Sequence, residues 1–487
     1  MNSPIKKKIL IVLSGDEYIR NYLTTDAFAE IEKSYECFYL ASEKISHRSH
    51  LKNKSNFLGC YKFEKKLEEK HYRIFNVLMY KFRHKSSTFQ FRIKRHYYSI
   101  WELYKNSSLR KKILLIPLLL YRTLRMKAFF LVYGSPLTYP FFKKFYIEIL
   151  PVNSAISDAI QKVNPSVVLF PSSAYDPAGT DIIKVCKKMH IPSLFLIDNW
   201  DNLSSKSIMW VKPDYLGVWG EQSVEHGVRI QGIEKDRIGI LGTPRFDKYF
   251  TLRDTDLEPH FKFKYILFVG TALAFDEASV LIMINKIIEK NPTIFNDIKV
   301  VYRPHPWRQG NDTIIGTELS NIVIDPQLLD SYRSRNSVVT VQPDINYYPS
   351  LLKNAEFVVG GLTTMIMEAL IFRKKVLALI HNDGINLTSP HNALKYYIHF
   401  QGIKEIEAIN FCADLNNLET DLIETWNFRN SVNPIRIDLQ RNYYLSRDER
   451  PYKLRLAELI NKIVQDFHAS ESRDKIIDQK VKNWKSA

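Results

Sequence analysis

Cysteine is scarce in this chain: Cys37, Cys60, Cys186 and Cys412 are the only four in 487 residues, and no two form a CxxC pair. Their spacing speaks against a disulfide framework and a zinc site, and it fits a reducing cytoplasm. Long apolar runs are lacking too. The run Ile9 to Leu13 follows three lysines in the manner of a secretion signal, but it stops after five residues at Ser14, Gly15, Asp16 and Glu17. It is too short for a signal core and reads as a first β-strand. Nothing approaches the roughly 18 apolar residues of a membrane span. Low-complexity tracts are missing, so most of the chain is expected to fold. Acid is nearly absent from one window. Of a net charge of +17, residues 81–130 hold 13 Lys or Arg against one acid, Glu102. The basic character is local and asks for a local cause.

What is present is an alternation. Residues 5–13 read as strand, the stretch from Asn21 to Lys33 as helix, and YECFYLA as strand. The rhythm breaks over residues 41–150, rich in Lys, Arg, Tyr and Phe, which read as helices inserted into a first domain. It resumes with PSVVLFPSSAYDP (165–177), a helix over Thr180 to Met189, IPSLFLIDNW (191–200), PDYLGVWGEQS (213–223) and RIGILGTPRFDKY (237–249). A polar interval follows, and a second series opens with KYILFVGT (264–271). It continues through a helix over Asp276 to Lys290, then DIKVVYRPHP (297–306), NIVIDP, a helix over Tyr348 to Asn354, AEFVVGGLTT, a helix from Thr364 to Phe372, and KVLALI. Apolar runs that stop at polar or Gly/Pro residues are buried parallel strands. The expected architecture is α/β, with two doubly wound domains facing a cleft. Residues 1–250 form the first, 251–440 the second, 441–470 a helix crossing back to the first, and 471–487 a polar tail.

In such sheets ligands gather at the carboxyl ends of strands. Two of these ends stand out. At 355–370, AEFVVGGLTTMIMEAL, a strand ends in Gly360-Gly361 and a helix begins at Thr363 or Thr364, with Glu368 one turn in. Glycines admit a ligand close to the backbone, a helix start attracts phosphate, and Glu368 could accept from ribose hydroxyls. The alternative is a tight turn with Thr363 as helix cap. At 300–307, VVYRPHPW, a strand ends in Arg303 and His305, each followed by proline. Arg can clamp a phosphate bidentately and His can donate to a phosphate oxygen, while the prolines stiffen the loop. Gln342 and Asp344 could line the same side, or simply form a loop.

With these motifs, RPHP at 303–306, VVGGLTTMIMEAL at 358–370, GTPRFDKY at 242–249 and ILFVGT at 266–271, the chain resembles the GT-B glycosyltransferases of bacterial surface-polysaccharide synthesis, among them relatives of the CDP-glycerol glycerophosphotransferases and the Kdo and sialic acid transferases. The resemblance covers most of the chain outside 41–150. It implies two Rossmann-like domains, donor-phosphate roles for His305, Thr363 and Thr364, and no catalytic metal. The serine pair common in those relatives is Thr-Thr here. No cofactor is expected beyond a nucleotide-sugar co-substrate, linked through CMP, CDP or UDP.

Transfer to a hydroxyl requires a base, expected from the first domain. Asp16 and Glu17 follow its first strand; Asp198 and Asp201 follow another, in IDNWDNLSSK. Each could equally cap a helix or form a turn. Asp198, Trp200 and Asp201 are expected to meet the acceptor, with Trp200 stacking on a sugar. The basic insertion mixes cations with Tyr, Trp, Leu and Phe, a composition suited to an anionic membrane surface. Arg92, Lys94, Arg95, Lys111 and Lys112 are the expected membrane contacts; a solvated basic face over a helical core is the alternative. No nucleic-acid-binding signature is present. The expected function is an inverting glycosyltransferase, peripheral on the inner face of the cytoplasmic membrane, acting on a lipid-linked or growing surface glycan. A CDP-activated polyol-phosphate transferase, an enzyme like the UDP-GlcNAc 2-epimerases and a non-catalytic membrane- or glycan-binding scaffold are the alternatives.

Overall fold

The computed structural model describes residues 6–105, 107–273, 275–306, 314, 319–333 and 344–467. The chain divides into two compact units, the first from residues up to 82, 129–244 and 446 onward, the second from 83–128 and 245–445.

In the first unit, strands β1 (Lys8–Leu13), β2 (Glu36–Ser42), β3 (Phe57–Tyr61), β4 (Val167–Ser172), β5 (Ser193–Ile197), β6 (Tyr215–Val218) and β7 (Ile238–Ile240) form a parallel sheet in the order β3-β2-β1-β4-β5-β6-β7. Five consecutive residues of β1, Ile9 to Leu13, are at most 1% exposed, because helices cover both faces of the sheet. Alternate residues serve one face: Ile9, Ile11 and Leu13 join Val167, Leu169, Leu194 and Leu196 in a core that also takes Leu456, Ile460 and Ile463 from a helix over 452–467. That closing helix therefore packs within the first unit. Fully burying each such aliphatic side chain contributes about 1.5–3 kcal/mol. The helix Pro177–Met189 shows how local sequence sets an element: Asp176 accepts from Ala178 N–H, Pro177 opens the first turn, and His190 ends it in the left-handed region at φ 54°.

In the second unit, β8 (Tyr265–Val269), β9 (Lys299–Arg303), β10 (Ile322–Ile324), β11 (Val358–Gly360), β12 (Val376–Leu379) and β13 (Ile409–Cys412) are again parallel, in the order β10-β9-β8-β11-β12-β13. Ile266, Phe268, Val300, Val359 and Leu377 pack against Val280, Leu281 and Ile284 of the helix Glu277–Lys290. Both sheets therefore carry the doubly wound strand order, with a crossover to the other side after their third strand. Ligands of such sheets bind outside the carboxyl ends of the two strands where the order reverses. Those are β1 and β4 in one unit and β8 and β11 in the other.

Two strands were not anticipated, β3 inside the supposedly helical interval and β13 near the second sheet's end. Both are edge strands with incomplete burial, so neither has the continuous apolar run that marks an inner strand. The basic interval does form helices, Ser87–Lys105 and Leu109–Gly134. By packing, residues 83–128 belong to the second unit although they precede it in the chain. Ser87 Oγ donates to the carbonyl of Tyr396 at 2.8 Å, Ile398 N–H donates to Thr88 Oγ1 at 2.9 Å, and Phe91 stacks on Tyr396 at 4.8 Å.

Candidate functional site

The carboxyl end of β1 runs Ser14, Gly15, Asp16, Glu17, and its two acids have different fates. Asp16 is buried and ion-paired, its Oδ1 3.1 Å from Arg48 Nε. Glu17 borders a cavity of about 300 Å³ that is also lined by Lys44, Tyr61, Tyr72, Tyr175 and Asp176. Burial, then the neighbouring charge of Asp198 and, more weakly, that of Asp176, push the Glu17 carboxyl up to about 7. Its side chain folds back over Gly15, where an added Cβ would lie 2.5 Å from Glu17 Oε1. A side chain at position 15 would displace the Glu17 carboxylate from this place.

Asp176 is held by three donors, Ser14 Oγ at 2.6 Å, Ser172 Oγ at 2.7 Å and Ala178 N–H at 2.9 Å. It lines the same cavity. Asn21 Nδ2 donates to Asp198 at 2.6 Å. The tips of β1, β4 and β5 therefore bring together Glu17, Asp176 and Asp198, a carboxylate cluster in which Glu17 is the member tuned to exchange a proton near neutrality. Lys44 pairs with Glu68 at 3.1 Å and Lys62 with Glu43 at 2.8 Å, so the lining cations are matched by acids. Tyr72 and Tyr175 place their rings 5.1 Å apart on the cavity wall.

The other expected acceptor residues lie differently. Trp200 is 2% exposed, so its ring is packed inside and is not offered to a sugar. Asp201 accepts from Ser205 Oγ at 2.6 Å and lies 3.5 Å from Lys206 Nζ at the start of a short helix. Both have local structural work, the outcome to which Asn-Trp-Asp-Asn turns are prone.

In the second unit the tips of β8, β9 and β11 converge. A Cβ added at Gly270 would meet His305 N at 2.8 Å and Pro304 Cα at 3.0 Å, and one at Gly360 would meet the carbonyl oxygen of Val269 at 2.3 Å. Gly361 is as tightly set, 2.8 Å from Phe275 Cε1 by the same measure. RPHP and GGLTT, well separated in sequence, thus share one sheet edge.

Arg303 is 5% exposed. It donates from Nη2 to Tyr348 Oη and lies 4.5 Å over the Tyr348 ring, and no carboxylate is within ion-pairing distance of it among the described residues. Its Nε is buried without a partner among those residues. Burial opposes its charge, but Tyr348, Glu368 and Asp325 outweigh that and raise its pKa. Glu368 is buried and pairs with Arg245 Nη2 at 3.4 Å, so its carboxylate is already engaged by a cation. His305, Thr363 and Thr364 are half-buried at this edge. Gln342 lies outside the described residues.

Sequence reasoning passed over Arg245, Tyr348, Asp176 and His381. Arg245 stands in the quoted GTPRFDKY, and His381 follows KVLALI just as His305 follows VVYR, so the strand-end rule applied to every strand finds it. The His381 ring is buried, 6.0 Å from that of Phe275, and neither of its nitrogens has a partner among the described residues. Burial lowers its pKa and keeps it neutral. Among the described residues no cluster of three or more His, Cys, Asp or Glu side chains is placed to hold a metal ion.

No family model matches the chain, and no curated protein matches it in sequence. Solved structures do. The UDP-GlcNAc 2-epimerase of Neisseria meningitidis, bound to UDP-GlcNAc, is similar over 93% of this chain and 100% of its own at 10% identity, with a TM-score of 0.51. A Listeria monocytogenes protein described as a UDP-N-acetylglucosamine 2-epimerase follows at 11% identity, 91% and 93% coverage and a TM-score of 0.49. The wall teichoic acid polymerase TagF, studied with CDPG, has 12% identity, 95% and 90% coverage and a TM-score of 0.46. The first likeness, at so low an identity, speaks to fold alone. It agrees with the strand orders: the chain is an α/β protein of two Rossmann-like domains, the GT-B class.

Proposed function

We propose that this protein is a glycosyltransferase that moves a sugar from a nucleotide-activated donor to a hydroxyl of a lipid-linked or growing surface glycan. Arg303 carries this reading: a buried guanidinium without an ion pair among the described residues, at a sheet edge where Gly270 and Gly360 let the RPHP and GGLTT segments pack closely against the neighbouring strand ends. Such a group calls for an anion, and the bidentate geometry of guanidinium suits phosphate.

In this mechanism Glu17 takes the proton of the acceptor hydroxyl, whose oxygen attacks the anomeric carbon. The bond from that carbon to the donor phosphate breaks, and its electron pair leaves with the nucleotide. Arg303 and His305 meet the charge so released, with the hydroxyls of Thr363 and Thr364 as further donors. One displacement inverts the anomeric centre and requires no divalent ion. Burial, with the charges of Asp198 and, more weakly, Asp176, keeps Glu17 basic enough to act near neutral pH.

A second reading, a nucleotide-sugar epimerase, is favoured by the fold likeness to the Neisseria enzyme. Two measurements separate the possibilities. Melting temperature is followed with CMP, CDP, UDP and GDP; a rise with one of them that R303K largely abolishes is expected, since a ligand stabilises by mass action. No rise with any nucleotide would refute the donor site. Incubating the matching nucleotide-sugar without acceptor then distinguishes an epimerase, which converts it, from a transferase, which leaves the sugar intact.

A further inference from the structure

Among the described residues, fourteen of the twenty-one large apolar side chains that stand exposed fall between Leu109 and Ile149. The helix Leu109–Gly134 accounts for most of them. Along it Leu119 and Phe130 are buried, and Leu115, Thr123 and Met126 are half-buried, a spacing that defines one packed stripe. The rest of the helix is not polar, as a surface helix would be. Ile113, Leu120 and Leu124 stand in a second stripe at i, i+7 and i+11, with Leu114 and Tyr121 beside them. Leu114 is 77% exposed and Leu124 63%. An unpartnered apolar surface of this extent marks an interaction site.

The charges around it identify the partner. From Leu103 to Ile147 there are nine Lys or Arg and no acid. Arg110, Lys111, Arg122, Arg125 and Lys127 are exposed between the exposed leucines. A border of cations alone complements anionic headgroups, with the leucines passing below them into the acyl region. These same cations interrupt the helix too often for it to cross, and no helix among the described residues is long and apolar enough to span a membrane.

We propose that the segment 109–125 lies in the interface of an anionic bilayer as a monotopic helix, holding the protein by inserted Ile113, Leu114, Leu120, Tyr121 and Leu124. This differs from adsorption by the basic residues alone. The helix Ser87–Lys105, which bears Arg92, Lys94 and Arg95, is committed to the second unit through Ser87, Thr88 and Phe91, and Lys94 lies 5.9 Å from the Tyr396 ring. Insertion is a hydrophobic contact and survives salt; adsorption does not.

The test uses the full chain and vesicles of phosphatidylethanolamine and phosphatidylglycerol at about 3:1, read by flotation at low salt and at about 0.5 M NaCl. Most of the protein is expected to stay bound at the higher salt. I113Q/L120Q/L124Q is expected to lower partitioning by about tenfold or more. Its circular dichroism and nucleotide-induced thermal shift should stay unchanged, so that loss of anchoring is separated from loss of fold or donor binding. In an otherwise wild-type chain, the indole introduced by Tyr121→Trp is expected to be quenched by brominated lipids. Complete release by salt, wild-type partitioning of the triple variant or absence of that quenching would each overturn the proposal. So would a dimer in solution that the triple variant dissociates, which would assign the face to a second copy of the chain.

Discussion

The two sheets share one strand order and differ in the charge at their reversal points. Beyond β1, β4 and β5 stand Glu17, Asp176 and Asp198; beyond β9 and β11 stand Arg303, His305 and the Gly-Gly-Leu-Thr-Thr turn. The backbone order is the same because a right-handed crossover with helices on both faces permits few others. The chemistry is opposite because the tip side chains lie outside the apolar cores that hold the sheets together and are open to change. Burial and then the acidic neighbours raise the Glu17 carboxyl to about 7, while the cationic tip holds a buried guanidinium with no ion pair among the described residues. Under the proposed function, the contrast would give hydroxyl activation to the acidic tip and leaving-group binding to the cationic one.

Breaking the acidic side has the largest expected effect. E17Q should lower kcat by about 10²–10⁴-fold with little change in donor affinity, measured by initial rates and nucleotide titration. The same variant also has a pH-dependent effect on stability. Because the folded-state pKa of Glu17 is raised to about 7, the folded protein holds a proton that the unfolded chain loses from about pH 4.5 upward. The wild type therefore loses stability as pH rises between these values, and E17Q should be more stable at pH 8 by about 3 kcal/mol and equal to it at pH 4. Denaturant melts at both values check this.

On the cationic side, R303K should weaken nucleotide binding about 10- to 100-fold by calorimetry, since an ammonium loses the bidentate contact and the Tyr348 stacking. Equal affinity would erase the contrast between the tips. The wild-type rate itself should rise with pH through about 7 as Glu17 ionises, and a flat profile from about pH 5.5 to 8.5 would remove Glu17 as the base. The smallest catalytic effect is expected at Asp16. D16N leaves Arg48 without its partner and should cost about 1–3 kcal/mol of stability while kcat stays within about threefold.

Much of this was legible in the residues. Apolar runs ending at Gly, Pro or acid located the inner strands, because a parallel strand buried on both faces has to be apolar throughout. The rule that ligands meet strand ends singled out Glu17, Arg303, His305 and the Gly360-Gly361 turn. The same rule could not choose between Asp16 and Glu17, adjacent on one tip. Nor could it foresee that Trp200, exposed by every local measure of its polar loop, turns inward. Edge strands β3 and β13 escaped because a half-covered strand has no unbroken apolar signature.

Alone, the sequence determined the two alternating series, their strand interiors and the residue types at each tip, since burial on both faces and tight turns are demands on local composition. Tertiary structure decided which acid faces a partner cation and which faces other carboxylates. It also decided where residues 83–128 dock, and that the helix Leu109–Gly134 keeps most of its leucines uncovered. These depend on which distant groups come within a few ångströms, and both electrostatic shifts and hydrophobic burial are set by such neighbours rather than by order along the chain.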